Sequence, residues 1–222
     1  MQTSSIMGKT ATIAGATGLI GSHLLNLLLK DETYSTVRIL IRRPISFTHP
    51  KLEKKLVDFS DADSLLIALT DSDVVFCAIG TTQKKVNGNK EEYRKIDHDI
   101  PVRLARLCKE VGCERFVVVS AAGANRSSRN FYLKLKGEVE ESLKSVGLGV
   151  LHIMRPSVLL GEREEVRKGE RLGQGVIKFF APIIPSRYKP IEAVQVARAM
   201  VVAAAKPLAG AEVWEYDKLI SA

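Results

Sequence analysis

The most informative stretch of the sequence is Thr10-Ala-Thr-Ile-Ala-Gly15-Ala-Thr-Gly18-Leu-Ile-Gly21-Ser-His-Leu-Leu25. It predicts a short buried strand, a glycine turn and the first turns of an amphipathic helix. At this spacing Gly15 allows a sharp exit from the strand, Gly18 allows the backbone to approach a diphosphate, and Gly21 allows helix and strand to pack closely. The unpaired N–H groups at the start of the helix would then face the anion. The stretch therefore predicts a dinucleotide-binding site with the spacing GxxGxxG.

Two adjacent arginines follow the second predicted strand, which covers residues 37–41. A protein that prefers NAD places Asp or Glu at this point, about 20 residues beyond the glycines, where the carboxylate binds the ribose hydroxyl groups. Here Arg42 and Arg43 occupy that place. A guanidinium group matches a 2′-phosphate in charge and in hydrogen-bonding geometry, whereas a carboxylate would repel it. The sequence therefore predicts NADP(H) as the cofactor, with one of the two arginines facing solvent.

Strands and helices alternate along the rest of the chain. Further strands are predicted over residues 55–59, 73–77, 114–120, 149–156 and 212–216, and helices over 19–30, 62–69, 91–111, 130–146 and 190–206. Pro101 lacks a backbone donor, so we expect the long helix to kink or restart near residues 97–100. The alternation predicts an α/β fold, a doubly wound parallel Rossmann sheet of about six to seven strands with helices on both faces. We expect one domain over residues 1–222, with a small C-terminal substrate flap over 162–190.

Two loops follow predicted strands at the edge of the sheet where ligands bind in open α/β folds. Asp58 and Phe59 end the third strand, where they would flank an adenine ring; a turn-capping role for Asp58 explains the same residue equally well. A loop of small residues, Ala78-Ile79-Gly80-Thr81, follows the fourth strand. Both loops are therefore candidate parts of the nucleotide site.

Three side chains in the second half of the sheet carry candidate chemistry. Tyr132 and Lys136 are four residues apart on a predicted helix, so they share one helix face. A Tyr–Lys pair on a helix surface is common and needs no function. This pair, however, follows a strand that ends in a hydroxyl group, Ser120, on a nucleotide-binding sheet. The position favours a catalytic role for Ser120, Tyr132 and Lys136.

Together these motifs resemble the short-chain dehydrogenase/reductase superfamily over essentially the whole sequence. The GATGLIG turn at 15–21 is similar to its atypical and extended members, Tyr132 and Lys136 supply its YxxxK signature, and VSAAG at 119–123 resembles its serine strand. The MRPSVLLG stretch at 154–161 resembles its proline-containing turn beside the nicotinamide, and residues 120–128 with 132–140 resemble the subgroup of Tat-interacting-protein-like oxidoreductases. The cofactor contacts expected from motifs and resemblance together are Gly15, Ala16, Thr17, Gly18, Leu19, Ile20, Gly21, Arg42, Arg43, Asp58, Phe59, Ala78, Ile79, Gly80, Thr81, Lys136, Pro156 and Val158.

The resemblance implies specific roles for the three candidate catalytic residues. Tyr132 would donate a proton to a substrate carbonyl oxygen while NADPH supplies a hydride to the carbon. Lys136 would lower the pKa of the phenol and bind the nicotinamide ribose, and Ser120 would hold the carbonyl oxygen. Classical members carry an asparagine on the central helix, and the nearest counterpart in this chain is Asp97. Asp97 would either take the place of that asparagine in the site or serve the structure instead.

The expected function is NADP(H)-dependent oxidoreduction, in which a carbonyl-type small molecule is reduced or the reverse reaction takes place. An NADP(H)-binding regulatory or interaction protein without turnover is the alternative. Sugar-nucleotide epimerisation uses the same Tyr and Lys, but those enzymes typically carry a larger C-terminal domain than residues 162–222 offer.

Composition narrows the partners and the compartment. A formal net charge of +8 suggests a nucleic-acid surface, but no aromatic residues interleave with the basic ones, so nucleic acid is an unlikely partner. The three cysteines show no CxxC pattern and the four histidines no metal-like spacing, so we expect a reducing, cytoplasmic location and no metal. The longest apolar run, residues 199–205, is too short to span a membrane. The helices around residues 103–111 and 133–146 resemble those that pair in homodimeric relatives.

Overall fold

The computed structural model describes residues 8–160, 185–207 and 209–222. Of the expected substrate flap at 162–190, residues 162–184 lie outside the described residues, and only 185–190 are described. All structural statements below refer to the described part of the chain.

A seven-stranded sheet forms the centre of the molecule. Counting two strands outside this sheet, the strands of the described residues are β1 (Lys9–Ala14), β2 (Tyr34–Ile41), β3 (Leu52–Leu56), β4 (Val74–Cys77), β5 (Arg115–Val119), β6 (Val150–Met154), β7 (Leu159–Leu160), β8 (Ile191–Glu192) and β9 (Gly210–Trp214). The large sheet has the order β3-β2-β1-β4-β5-β6-β9, and every neighbouring pair in it is parallel. Strands β7 and β8 form a separate parallel pair. The strand order reverses between β1 and β4, which creates a crevice at the carboxyl edge of the sheet.

Helices cover both faces of this sheet. They are α1 (Leu19–Lys30), α2 (Ala62–Leu69), α3 (Lys90–Arg94), α4 (Ile100–Glu110), α5 (Phe131–Val146), α6 (Ala193–Ala205) and α7 (Tyr216–Ile220). One core packs α1 and α6 against the sheet, and a second core packs α2, α4 and α5 against the opposite face. The predicted doubly wound Rossmann fold is confirmed.

The helix that precedes the second half of the sheet is interrupted. Residues Lys95–Asp99 form a π-helical turn, and α4 begins at Ile100 with Pro101 in its first turn. The backbone is helical on both sides of this turn, and the N–H of Ile100 bonds to the carbonyl oxygen of Lys95, whereas Pro101 has no N–H to continue the series. The expected kink or restart near residues 97–100 thus takes the form of a π-helical turn, after which α4 begins.

Helix α5 has well-defined ends. The side chain of Asn130 accepts a hydrogen bond from the N–H of Leu133 at 3.1 Å, which caps the first turn. Gly147 follows the last residue with a φ of 68°, the left-handed conformation that glycine adopts readily. These two caps fix the register of the helix that carries the Tyr–Lys pair.

Several strand bounds differ from the sequence prediction. Strand β2 begins at Tyr34 instead of residue 37, and β6 ends at Met154 instead of residue 156. Strand β3 spans Leu52–Leu56, whereas we expected 55–59, because β3 is an edge strand whose residues are largely exposed and show no apolar run. Val57 and Phe59 are buried but follow the strand. The last strand ends at Trp214 instead of 216, because residues Tyr216–Ile220 form a short helix that the sequence analysis missed.

Candidate active site

The glycine turn between β1 and α1 depends on close backbone packing. Gly15 has a φ of 92°, and a Cβ atom on it would lie 2.7 Å from the carbonyl carbon and oxygen of Ala78. A Cβ atom on Gly21 would lie 2.0 Å from the carbonyl oxygen of Gly15. Any side chain at either position would collide with the backbone. The roles predicted for these two glycines, a sharp turn and close helix–strand contact, are confirmed.

The start of α1 is open to an anion. Gly18 is the N-cap residue, no side chain caps the helix, and its first turn contains no acidic residue. Thr17, Gly18, Leu19 and Ile20 line the crevice beside it. Unpaired N–H groups and the positive end of the helix dipole favour a diphosphate at such a position. The described residues therefore fit the diphosphate of a dinucleotide.

A cleft of about 1600 Å³ runs along the carboxyl edge of the sheet. It brings together most of the residues predicted from the sequence, namely Thr17, Gly18, Leu19, Ile20, Ala78, Ile79, Gly80, Thr81, Ser120, Tyr132, Lys136, Pro156 and Val158. Gly15, Ala16 and Gly21 are not among the lining residues, since their contribution is to shape the turn. Arg42, Arg43, Asp58 and Phe59 also lie outside this lining.

The two arginines follow β2 and are both exposed. Neither guanidinium group makes a hydrogen bond or an ion pair with another described residue. Both are therefore available to a ligand at the carboxyl edge of the sheet, on the far side of β1 from the cleft. A contact with a 2′-phosphate stays a prediction.

Asp58 caps a turn. Its Oδ1 atom accepts hydrogen bonds from the N–H of Ser60 at 2.8 Å and from the hydroxyl of Ser60 at 2.6 Å. These two bonds lower the pKa of Asp58. Phe59 is buried, and its carbonyl oxygen accepts a hydrogen bond from Nη1 of Arg103 at 2.5 Å. The turn-capping role is thus observed, while the contact of either residue with adenine stays a prediction.

Tyr132 and Lys136 share a face of α5 that lines the cleft, and Lys136 has a buried partner. Its Nζ atom lies 2.8 Å from Oδ1 of Asp97 and 5.9 Å from the centre of the Tyr132 ring. The other oxygen, Oδ2 of Asp97, accepts the N–H of Thr81 at 2.7 Å. Asp97 belongs to the π-helical turn and is 1% exposed. The carboxylate therefore links the loop after β4 to the lysine on α5.

The pKa of Tyr132, which lies beside Lys136 and Asp97, differs from what the sequence predicted. Burial raises the pKa of Tyr132; Lys136 lowers it and Asp97 raises it, and the sum lies above the ordinary value for tyrosine. Burial lowers the pKa of Lys136, but the carboxylate of Asp97 outweighs it, so that this pKa is raised. The predicted reduction of the Tyr132 pKa by Lys136 is thus present but is exceeded by burial. The arrangement keeps Tyr132 as a neutral phenol and Lys136 as an ammonium ion at neutral pH.

Ser120 contacts a second buried ion pair. Its hydroxyl donates a hydrogen bond to Oε1 of Glu140 at 2.5 Å. Arg155 donates to the same carboxylate twice, from Nε to Oε1 at 2.9 Å and from Nη2 to Oε2 at 2.6 Å. Glu140 is 2% exposed and lies four residues beyond Lys136 on the same face of α5. In this arrangement the proton of Ser120 is not directed at a substrate carbonyl oxygen, which is the role that the resemblance implied.

Several residues of the site carry little or no signal in the sequence. Glu140 continues the i, i+4 spacing of Tyr132 and Lys136, and this spacing was the available signal. Arg155 precedes Pro156 in the predicted proline turn, but no sequence pattern indicates its partner. Tyr188 lines the cleft from the described end of the expected flap.

The described residues also lack two features. No group of three or more His, Cys, Asp or Glu side chains is arranged to hold a metal ion. None of the described helices has both the length and the apolar character needed to cross a membrane.

The chain matches one protein family and several named proteins. Residues 15–207 match the family described as NAD(P)H-binding. The chain is 34% identical to Protein HTATIP2 of Rattus norvegicus over 181 residues, which cover 80% of this chain and 73% of that protein. It is 33% identical to the mitochondrial protein fmp52 of Aspergillus fumigatus over 216 residues, which cover 92% and 90% of the two chains.

Solved structures show the same fold at low sequence identity. One is MoeE5 in complex with UDP-glucose and NAD, with a TM-score of 0.71 and 18% identity, covering 96% of this chain and 80% of that one. Another is the UDP-N-acetylglucosamine 4-epimerase of Methanobrevibacter ruminantium, with a TM-score of 0.71 and 19% identity, covering 97% and 81%. At this identity the likeness establishes the fold alone.

The predicted cytoplasmic location is wrong. The relatives from Aspergillus fumigatus and Eremothecium gossypii, the latter 36% identical over 176 residues, are both named as mitochondrial proteins. Cysteine spacing could not have shown this, because it distinguishes oxidising from reducing surroundings and does not separate one reducing compartment from another.

Proposed function

Since this chain belongs to the NAD(P)H-binding family, we propose that it is an NADP(H)-dependent oxidoreductase that reduces a carbonyl-type small molecule, or catalyses the reverse reaction. The observation that carries the proposal is the shared cleft, in which the open start of α1 and the Tyr132–Lys136 face of α5 line one cavity. A nucleotide anchored at the start of α1 would extend toward a proton donor on α5.

The cofactor would be held mainly by backbone groups. Thr17, Gly18 and Leu19 would bind the diphosphate at the helix N-terminus, and the loop from Ala78 to Thr81 would border the nucleotide at the centre of the sheet. One of Arg42 and Arg43 would bind a 2′-phosphate, since both guanidinium groups are exposed and neither has a partner among the described residues. When bound, the cofactor supplies or accepts the hydride.

Tyr132 would act as the general acid in reduction. Its raised pKa keeps the phenol protonated at neutral pH, so it has a proton to give to the oxygen that develops negative charge. Lys136 would stabilise the phenolate that remains, because its ammonium lies near the ring. Asp97 would hold that ammonium in position through the 2.8 Å ion pair.

The direct test is to follow the absorbance of NADPH with a panel of aldehydes, ketones and quinones, for the wild-type protein and Tyr132→Phe. We expect oxidation by the wild-type protein and a loss of about 10³-fold in the variant, the usual size of a general-acid contribution. NADPH affinity of the variant should stay within a few fold. Unchanged turnover in Tyr132→Phe would contradict the mechanism.

The same panel distinguishes the alternative function. Tight NADPH binding with no turnover on any compound would favour an NADP(H)-dependent regulatory protein. We also propose a mitochondrial location, as in the names of the fungal relatives, which cell fractionation would test.

A further inference from the structure

The hydroxyl group of Ser120 donates its hydrogen bond to a buried carboxylate. Oε1 of Glu140 accepts the hydroxyl of Ser120 at 2.5 Å and Nε of Arg155 at 2.9 Å, and Oε2 accepts Nη2 of Arg155 at 2.6 Å. Both carboxylate oxygens of Glu140 accept hydrogen bonds from Arg155, so Ser120 is the donor in its bond to Oε1. Ser120 lines the cleft, so its oxygen offers only lone pairs to a ligand there.

Tyr132 offers a hydrogen-bond donor to the cleft, whereas Ser120 offers an acceptor. Its phenol lines the same cleft and makes no hydrogen bond with another described residue. Because the phenol is protonated at neutral pH, it offers a proton to a ligand. The cleft therefore presents one donor, on Tyr132, and one acceptor, on Ser120.

From this pairing we infer that the substrate is a hydroxy carbonyl compound, whose carbonyl oxygen accepts a hydrogen bond from Tyr132 and whose neighbouring hydroxyl group donates one to Ser120. The inference rests on the proposed function and names the substrate class for that site. Glu140 is here a positioning residue, since it accepts the hydrogen bond of Ser120 and is itself held by Arg155. A plain ketone would leave the Ser120 oxygen without a donor.

The chemical step leaves the second hydroxyl group intact. In the direction of reduction the carbonyl carbon gains a hydride from NADPH, its C=O double bond becomes a single bond, and its oxygen takes the proton of Tyr132. The product is a diol, and the Tyr132 phenolate recovers a proton from solvent. The substrate hydroxyl group that donates to Ser120 forms and breaks no covalent bond, so it contributes to binding and orientation only.

The test uses two ketones that differ in one hydrogen-bond donor. Acetoin carries a hydroxyl group beside its carbonyl, and 3-methoxy-2-butanone keeps the electron-withdrawing oxygen but cannot donate. We expect the wild-type protein to favour acetoin by at least about tenfold in kcat/KM, the effect of one unpaired polar group in a site. In Ser120→Ala this ratio should fall to about one, because the acceptor is gone. In Glu140→Gln it should fall between the two values, because the Ser120 proton is then free to be donated to the ether oxygen.

Each result decides between the proposals. Equal turnover of both ketones by the wild-type protein, or an acetoin preference that persists in Ser120→Ala, would overturn the inference and leave the proposed function standing. If neither ketone nor any other carbonyl compound oxidises NADPH, the proposed function fails. Ligand-observed NMR titration of the NADP⁺-loaded protein with 2,3-butanediol and 3-methoxy-2-butanol then decides the inference: a diol preference that is lost in Ser120→Ala supports it, and equal binding overturns it.

Discussion

The two ends of the cleft are built from different chemistry. The glycine turn around Gly15, Gly18 and Gly21 offers backbone N–H groups, and no acidic side chain stands in the first turn of α1. The face of α5 offers ionisable side chains instead: Lys136 pairs with the buried Asp97, and the buried Glu140 accepts the hydroxyl of Ser120. The first region should therefore be sensitive to added volume and the second to altered charge.

The largest loss of stability should come from the end of the cleft that is formed by α5. Asp97→Asn leaves the ammonium of Lys136 buried without its counter-charge, and breaking a buried ion pair in this way costs about 3–5 kcal/mol of unfolding free energy. Asp99→Asn is the matched control, because Asp99 is part of the same turn but its side chain is 44% exposed and pairs with His98. Urea denaturation of both variants measures the difference. Similar small losses in both would show that the Asp97 pair is solvated.

A methyl group should perturb the glycine turn more at one position than at the other. In Gly21→Ala the Cβ would lie 2.0 Å from the carbonyl oxygen of Gly15, so we expect a loss of about 2–3 kcal/mol from overpacking. In Gly18→Ala the nearest atom would be 3.3 Å away, so stability should change by less than about 1 kcal/mol while NADPH binding weakens. Denaturation and NADPH fluorescence titration separate the two effects. Equal destabilisation of both variants would argue against the packing role of Gly21.

A smaller effect is expected at the exposed arginines. Replacing Arg42 or Arg43 by Ser should weaken NADPH binding by about tenfold at whichever residue contacts the 2′-phosphate, the size of one charge-assisted hydrogen bond. NADH binding, which lacks that phosphate, is the internal control and should change little. Because both side chains are exposed, the NADPH preference should also fall with added salt. Equal loss for NADPH and NADH in both variants would remove the case for NADP(H).

The smallest effect is a shift along the pH axis. Tyr132 donates a proton during reduction, so the rate falls only when pH rises through its pKa, which burial and Asp97 raise above the ordinary value of about 10. The rate of the chemical step should therefore stay level through neutral pH and decline only in strongly alkaline solution. Asp97→Asn removes a charge that raises this pKa, so the decline should begin at lower pH, by about one unit or less. A decline near neutral pH in the wild-type protein would contradict the neutral phenol.

Sequence reasoning succeeded where local chemistry determines structure. The glycine turn, the bounds Leu19–Lys30 of α1 and the shared face of Tyr132 and Lys136 follow from spacing and periodicity alone. It failed where a contact joins distant segments. Nothing in the sequence shows that Glu140 meets Arg155 or that the proton of Ser120 goes to Glu140, since these contacts depend on how α5 lies across β5 and β6. The pKa of Tyr132 lies above its ordinary value because burial, which a motif cannot show, outweighs the lowering by Lys136.

The π-helical turn at Lys95–Asp99 has a consequence for how this site could arise or be lost. A π turn holds one residue more than an α-helical turn covering the same span, and each residue advances an α-helix by about 100°. Deleting a single codon here would restore regular winding and rotate Asp97 away from Lys136, while α4 could keep its place in the core. One indel, without any substitution, would thus disconnect the lysine from its carboxylate.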